Sequence, residues 1–123
     1  MNLYSIKVLN KNGTTDFSRN VTVSINEKNE LVFYCCDINQ TAKHLYGDSG
    51  VEFYLILNQK DKDKLAAILN NKKRFFIFGF NTRYTNESLL ENIEKKFSGR
   101  DSCFEEIMEF LKSHHIQYEY QRW

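Results

Sequence analysis

The fold is decided by one stretch of sequence, VTVSINEKNELVFYCC at residues 21–36. Apolar and polar residues alternate from Val21 to Ile25, which is the period of a strand with one buried face. Glu27–Glu30 is a short polar connection, and the run Leu31–Cys36 after it is apolar enough for a more buried strand. The stretch therefore predicts two neighbouring strands of an antiparallel sheet.

The same period continues on both sides of this stretch. Before it, Tyr4, Ile6 and Val8 alternate with polar residues as the buried face of a strand, and an Asn-Gly hairpin signal follows. After it, apolar residues alternate along Val51–Leu57. Because the links are short, these strands predict an antiparallel meander of four, to which Phe75–Phe80 could add another.

The period changes to that of a helix after Asn58. The first predicted helix has an apolar stripe at Leu65, Ile68 and Leu69 over the polar face Lys60–Lys64. The same sequence pattern recurs twice more, so we expect up to three helices in the second half of the chain.

Capping signals place the other two helices. Thr85 or Asn86 can cap the start of the second, and Gly99 lies where the glycine after a helix end would stand. Ser102 and Glu105 form the S-x-x-E pattern of a capping box, which predicts the start of the third.

The alternation of Ile116, Tyr118 and Tyr120 predicts a last strand, which is too apolar to hang free and should return to the sheet. The length of 123 residues leaves no room for two independent cores. We therefore predict a single α+β domain over residues 1–123. It has an antiparallel sheet of about five strands, with two to three helices packed on one face and the carboxyl-terminal strand in the sheet.

Composition excludes several classes of function. Seventeen basic and sixteen acidic residues give a net charge of +1, too low for nucleic-acid binding driven by overall charge. No signal peptide or membrane-spanning run is present, so we expect a cytoplasmic protein without a membrane partner. Cys35, Cys36 and Cys103 have no disulfide or zinc spacing, which predicts free thiols. No catalytic motif occurs, so we expect neither an enzyme nor a cofactor.

Four places in the chain carry a family resemblance. They are the hairpin and apolar strand Val21–Ile25 and Leu31–Asp37, the acid-aromatic strand after a Gly/Asp turn at Gly47–Tyr54, the leucine-rich helices ending in Phe97-Ser98-Gly99, and the terminal segments Phe110-Leu111 and Ile116–Trp123. In this order of features the chain resembles small immunity proteins encoded beside toxins in bacterial polymorphic-toxin and contact-dependent growth inhibition systems.

The resemblance implies that the protein neutralises a cognate toxin domain, often a nuclease, by covering its active site. Such inhibition needs a complementary surface and aromatic anchors, and no catalytic residues. The long polar segment Asp37–Gly50 and the outward face of the next strand are the expected surface. Carboxylates there would imitate substrate phosphates, and tyrosines would bury area. The predicted binding residues are Asp37, Tyr46, Asp48, Glu52 and Tyr54.

Two other classes of protein remain open. A small nucleic-acid-binding module would use Lys72-Lys73-Arg74 with exposed aromatics, and would bind RNA or DNA in a salt-dependent way. A homo-oligomeric structural or regulatory protein would pair through an edge strand and form a dimer without a foreign partner.

Overall fold

The computed structural model describes residues 1–13, 15–39, 50–70 and 84–123. Within these ranges the strands form one antiparallel sheet in the order β1-β2-β3-β4-β5. The meander and the returning carboxyl-terminal strand are both confirmed, and the fold is α+β. The elements are β1 Asn2–Leu9, β2 Thr15–Ile25, β3 Leu31–Asn39, β4 Gly50–Leu57, α1 Gln59–Leu69, α2 Asn86–Phe97, α3 Cys103–Ser113 and β5 Glu119–Arg122.

The core lies between one face of the sheet and the three described helices. Val23, Phe33 and Leu55 are directly opposite one another on neighbouring strands, and all three are fully buried. The helices contribute buried apolar residues, namely Leu65 and Ala66, Leu89, Ile93 and Phe97, and Phe104, Ile107 and Leu111. Of the stripe predicted for the first helix, Leu65 is buried, whereas Ile68 and Leu69 are only partly buried against the core. None of these helices is long and apolar enough to cross a membrane.

The predicted face of β1 lies toward the helices, but only its first residue is covered there. Tyr4 is half-buried against the core. Ile6 and Val8 are 39% and 44% exposed, contrary to the prediction, and Leu3, which was not predicted, is buried. An irregularity in the pairing between Asn2 and Tyr4 puts Leu3 into the core. Its carbonyl accepts a hydrogen bond from the amide of Gly99, at 2.9 Å. No described helix covers the rest of β1, so its apolar residues stay exposed.

The connection between β3 and β4 is shorter than predicted, because β3 continues to Asn39 and β4 begins at Gly50. Asp37 therefore belongs to a strand, where it lies opposite Arg19 of β2. The rest of the connection lies outside the described residues, as do Lys72-Lys73-Arg74 and Phe75–Phe80.

The last strand begins later than predicted. Ile116 is 3% exposed and its amide donates to the carbonyl of Leu111, at 2.9 Å, so it closes α3 rather than opening a strand. His115 makes the turn with φ of 57°. The strand follows from Glu119 and pairs with β4.

The predicted polar face of α1 is partly buried. Lys62 is 1% exposed, and its Nζ donates to the carbonyl of Asn29 at 2.8 Å and to Oδ1 of Asn86 at 3.1 Å. Burial lowers the pKa of Lys62. Asp61 is also buried and accepts a hydrogen bond from the amide of Gln117. The hydrogen bonds of these two side chains connect α1 to the turn between β2 and β3, to α2 and to the segment before β5.

The helix caps agree with the sequence in α2 and differ in α3. Thr85 caps α2 reciprocally with Ser88, through bonds of 3.0 and 3.1 Å, and Gly99 follows the helix with φ of 89° as predicted. The capping box predicted for Ser102 and Glu105 is wrong, because the Ser102 hydroxyl donates to Oε2 of Glu106 and accepts no hydrogen bond from an amide of the helix.

This difference makes a testable pair of substitutions. Thr85→Ala should lower the free energy of unfolding by about 1 kcal/mol, because it leaves an amide of α2 without its acceptor. Ser102→Ala should lower it by clearly less, because no helix amide loses a partner. Urea unfolding followed by circular dichroism measures both values. Equal losses would contradict the assignment of the caps.

Candidate functional site

The face of the sheet opposite the helices is the candidate site, and we call it the helix-free face. Side chains alternate across a sheet, so residues next to the core residues of β3, β4 and β5 project from it. No described helix lies on this face. Its residues on those three strands are Val32, Tyr34, Cys36 and Ile38, then Glu52, Tyr54 and Ile56, then Glu119 and Gln121.

Two tyrosines hold a carboxylate at the centre of this face. Tyr34 and Tyr54 lie directly opposite each other on β3 and β4, with ring centroids 4.9 Å apart. The Tyr34 hydroxyl donates to Oε1 of Glu52 at 2.9 Å, and the Tyr54 hydroxyl donates to Oε2 at 3.4 Å. The two hydroxyls thereby hold the carboxylate in one position on this face.

Both phenols are held in the protonated form. Burial raises the pKa of Tyr34 and of Tyr54 above the ordinary value, and the neighbouring Glu52 carboxylate raises each further. Each hydroxyl therefore remains a hydrogen-bond donor at neutral pH. An ionised carboxylate accepts several hydrogen bonds, so Glu52 keeps capacity for a cationic donor from outside.

An exposed tryptophan stands next to Glu52. The amide of Glu52 donates to the carbonyl of Trp123 at 2.9 Å, and the amide of Trp123 donates back at 2.8 Å. Residues paired in this way project from the same face of an antiparallel sheet. The Trp123 side chain is 73% exposed. The helix-free face thus combines a positioned carboxylate with a large accessible aromatic surface.

The charge on this part of the face is negative. Among its residues on β3, β4 and β5, the charged ones are Glu52 and Glu119. Lys7 lies on the same face on β1, three strands from Glu52 or about 14 Å at ordinary strand spacing. Within the described part of the chain, no three His, Cys, Asp or Glu side chains are grouped to hold a metal ion. The arrangement is suited to binding a cationic group.

The structure brings together two of the five predicted binding residues. Glu52 and Tyr54 share the helix-free face, whereas Asp37 projects on the helix side and forms an ion pair with Arg19, Nε to Oδ1 3.0 Å. Tyr46 and Asp48 lie outside the described residues.

The Arg19 ion pair explains the placement of Asp37. Burial works to lower the pKa of Arg19, but the carboxylates of Glu105 and Asp37 raise it overall. The guanidinium also contacts Glu105, Nη1 to Oε1 2.6 Å, and so joins the end of the sheet to α3. Asp37 therefore neutralises a structural cation.

Sequence reasoning missed Tyr34 and Trp123 as site residues. Tyr34 alternates with the core residues Phe33 and Cys35, so its outward direction can be read from the sequence. Trp123 ends an alternating run that begins at Glu119, but placing it beside Glu52 requires the register of β5 on β4.

The three cysteines are free, as predicted, and their thiols differ in exposure to solvent. Burial raises the pKa of Cys35 to about 11 and also raises the pKa of Cys103. Cys36 is half-buried on the helix-free face, opposite Glu52.

A maleimide at neutral pH is expected to label Cys36 alone, because buried and protonated thiols react slowly. Mass spectrometry should find one adduct on the folded protein and three after denaturation. Labelling of Cys35 or Cys103 before Cys36 in the folded protein would contradict this assignment.

No family model, curated protein or solved structure matches this chain. The family resemblance drawn from the sequence therefore stays a prediction.

Proposed function

We propose that this chain is an immunity protein that binds a cognate toxin domain and blocks its active site. The observation that carries the proposal is the Glu52 carboxylate, held by Tyr34 and Tyr54 beside the exposed Trp123. Tryptophan and tyrosine dominate the energetically important positions of protein interfaces. A fixed carboxylate among them selects a partner that presents a cation.

The charge of this surface favours a nuclease as the toxin. Active sites that bind phosphates are rich in Arg and Lys, and Glu52 with Glu119 offers them acceptors in place of a phosphate. A stable complex buries about 1,600 Å² in total. The side chains of Tyr34, Glu52, Tyr54 and Trp123 cover less area than this. The proposed interface therefore also includes the neighbouring apolar residues Val32 and Ile56.

The direct test is reconstitution with the product of the neighbouring gene, which the proposal expects to encode the toxin domain. The two proteins are co-expressed, purified through a tag on the toxin, and assayed for nuclease activity with and without the chain. We expect a one-to-one complex, full inhibition at equimolar ratio, and survival of cells that express both.

Two outcomes would overturn the proposal. One is a toxin that stays active and unbound in excess of the chain. The other is direct, salt-dependent binding of the isolated chain to labelled RNA or DNA, which is the behaviour of a nucleic-acid-binding module. Binding to oligonucleotides is measured by fluorescence anisotropy at low and high salt.

A further inference from the structure

Among the described strands, the outer edge of β1 is the less protected of the two edges of the sheet. Within the described residues, β1 ends the strand order on one side and β5 ends it on the other. β5 has four residues, among them the charged Glu119 and Arg122, and short or charged strands resist pairing with other chains. β1 has eight residues with Lys7 as its one charge. The carbonyl of Leu3 accepts the amide of Gly99. No other strand of the described part of the chain pairs with the outer edge of Tyr4–Val8.

Exposed apolar side chains concentrate on this strand. Six large hydrophobic residues of the described chain are exposed, and four of them fall within Met1–Leu9. Ile6 and Val8 lie on the helix side, since they pair with Arg19 and Phe17, and no described helix covers them there. A sheet edge with an uncovered apolar side is a template for another strand.

We infer that β1 pairs antiparallel with β1 of a second copy of this chain, about a two-fold axis at Ile6. In this register Ile6 lies opposite Ile6, and Tyr4 lies opposite Val8, so the helix side of the new pair is apolar. On the other side Ser5 lies opposite Lys7. Apolar residues thus lie opposite apolar residues, and polar residues lie opposite polar ones. Because the strand complements itself in this way, we assign a second copy of the chain as the partner of this edge.

The neighbouring registers are excluded by residues of the same strand. An axis at Lys7 sets Lys7 against Lys7, and like charges directly opposite are destabilising. An axis at Ser5 needs the backbone of Leu3, whose carbonyl Gly99 already occupies. Registers shifted by one residue place Ile6 opposite Ser5 or Lys7 and mix the two faces.

The dimer should be weak and should form independently of the toxin complex. Pairing over Tyr4–Val8 involves few residues, and interfaces below about 1,200 Å² belong to transient complexes. Glu52 on β4 and Trp123 directly after β5 lie at the far end of the sheet from β1. A failed dimerisation test therefore leaves the proposed inhibition of a toxin untouched.

Sedimentation equilibrium of the full chain over a wide concentration range tests the inference, with two opposite changes at the exposed Ser5. Wild type should pass from one chain to two as concentration rises. Ser5→Glu gives Lys7 of the other copy a carboxylate partner on both sides of the axis, and should tighten the dimer several-fold. Ser5→Lys places two cations together and should weaken it at least as much.

Ile6→Lys, at the axis itself, should abolish the dimer. Melting curves confirm that each variant is folded, and because Ser5 is exposed both changes there should leave the fold intact. A wild-type chain that stays monomeric at every concentration overturns the inference. So does a dimer whose dissociation constant responds equally, or not at all, to Ser5→Glu and Ser5→Lys.

Discussion

Glu52→Lys is expected to fold normally and to lose binding to the cognate toxin by about 2–5 kcal/mol, or roughly 30-fold to several thousand-fold. The substitution removes the carboxylate that Tyr34 and Tyr54 position and places a cation against the cations of the partner. Both tyrosines are half-buried at the surface, so their hydroxyls can turn to water and stability should change little. Titration calorimetry with the purified toxin measures the loss.

Glu91→Lys is the matched control. It makes the same change of net charge at an exposed position of α2, on the helix side of the sheet. It should bind with wild-type affinity. If Glu52→Lys binds and protects cells as wild type does, the interface lies elsewhere. If both variants lose binding equally, overall charge rather than the helix-free face attracts the toxin.

Removal of residues 116–123 is expected to prevent folding. The deletion takes away Ile116, a buried residue of the core, and the strand that pairs with β4. The loss of one such buried side chain costs about 2–5 kcal/mol, which is a large part of the 5–15 kcal/mol that holds an ordinary domain together. Asp61 also loses its partner at Gln117. The truncated chain should be insoluble or melt without a cooperative transition.

Trp123→Ala, at the same end of the chain, is expected to weaken binding of the toxin without affecting folding. It keeps Ile116 and the backbone pairing with Glu52, so its melting temperature should match that of wild type. Its affinity for the toxin should fall by about 2 kcal/mol or more, as expected for an exposed tryptophan that becomes an interface anchor.

For the deletion of residues 116–123, a truncated chain with wild-type melting behaviour would contradict the placement of β5 in the fold.

The sequence predicts the fold where its periodicity encodes the geometry. The alternation in Val21–Ile25 predicts which residues face the core, and the structure confirms it for Val21 and Val23. The apolar run Leu31–Cys36 predicts a more buried strand, and Leu31, Phe33 and Cys35 are fully buried. Alternation gives the correct face for Tyr4, Ile6 and Val8, but it does not reveal the irregularity that buries Leu3. It also does not show that Ile6 and Val8 stay exposed on that face. The burial of Lys62 was also missed, because its acceptors come from residues far away in sequence.

Only part of the candidate site can be predicted from the sequence, because some of its residues come together through pairing between strands. Glu52 and Tyr54 follow from the alternation of a single strand. Tyr34 and Trp123 join them through pairing between strands, and the register of that pairing is set by the whole sheet. Asp37 has the same parity as the buried Cys35, so the sequence contained the signal that it faces the helices.

The pairing of β5 with β4 has a consequence for synthesis. On the ribosome, β1–β4 and all three described helices emerge before β5 does. Until then β4 is an unpaired edge in the nascent chain, open to other strands, and such edges make incomplete chains prone to aggregate. Glu52 is synthesised early, but Trp123 can pair with it only after the last strand has left the ribosome. A translating chain therefore carries only part of the proposed binding surface, and the time at which that surface is complete depends on elongation as well as on folding.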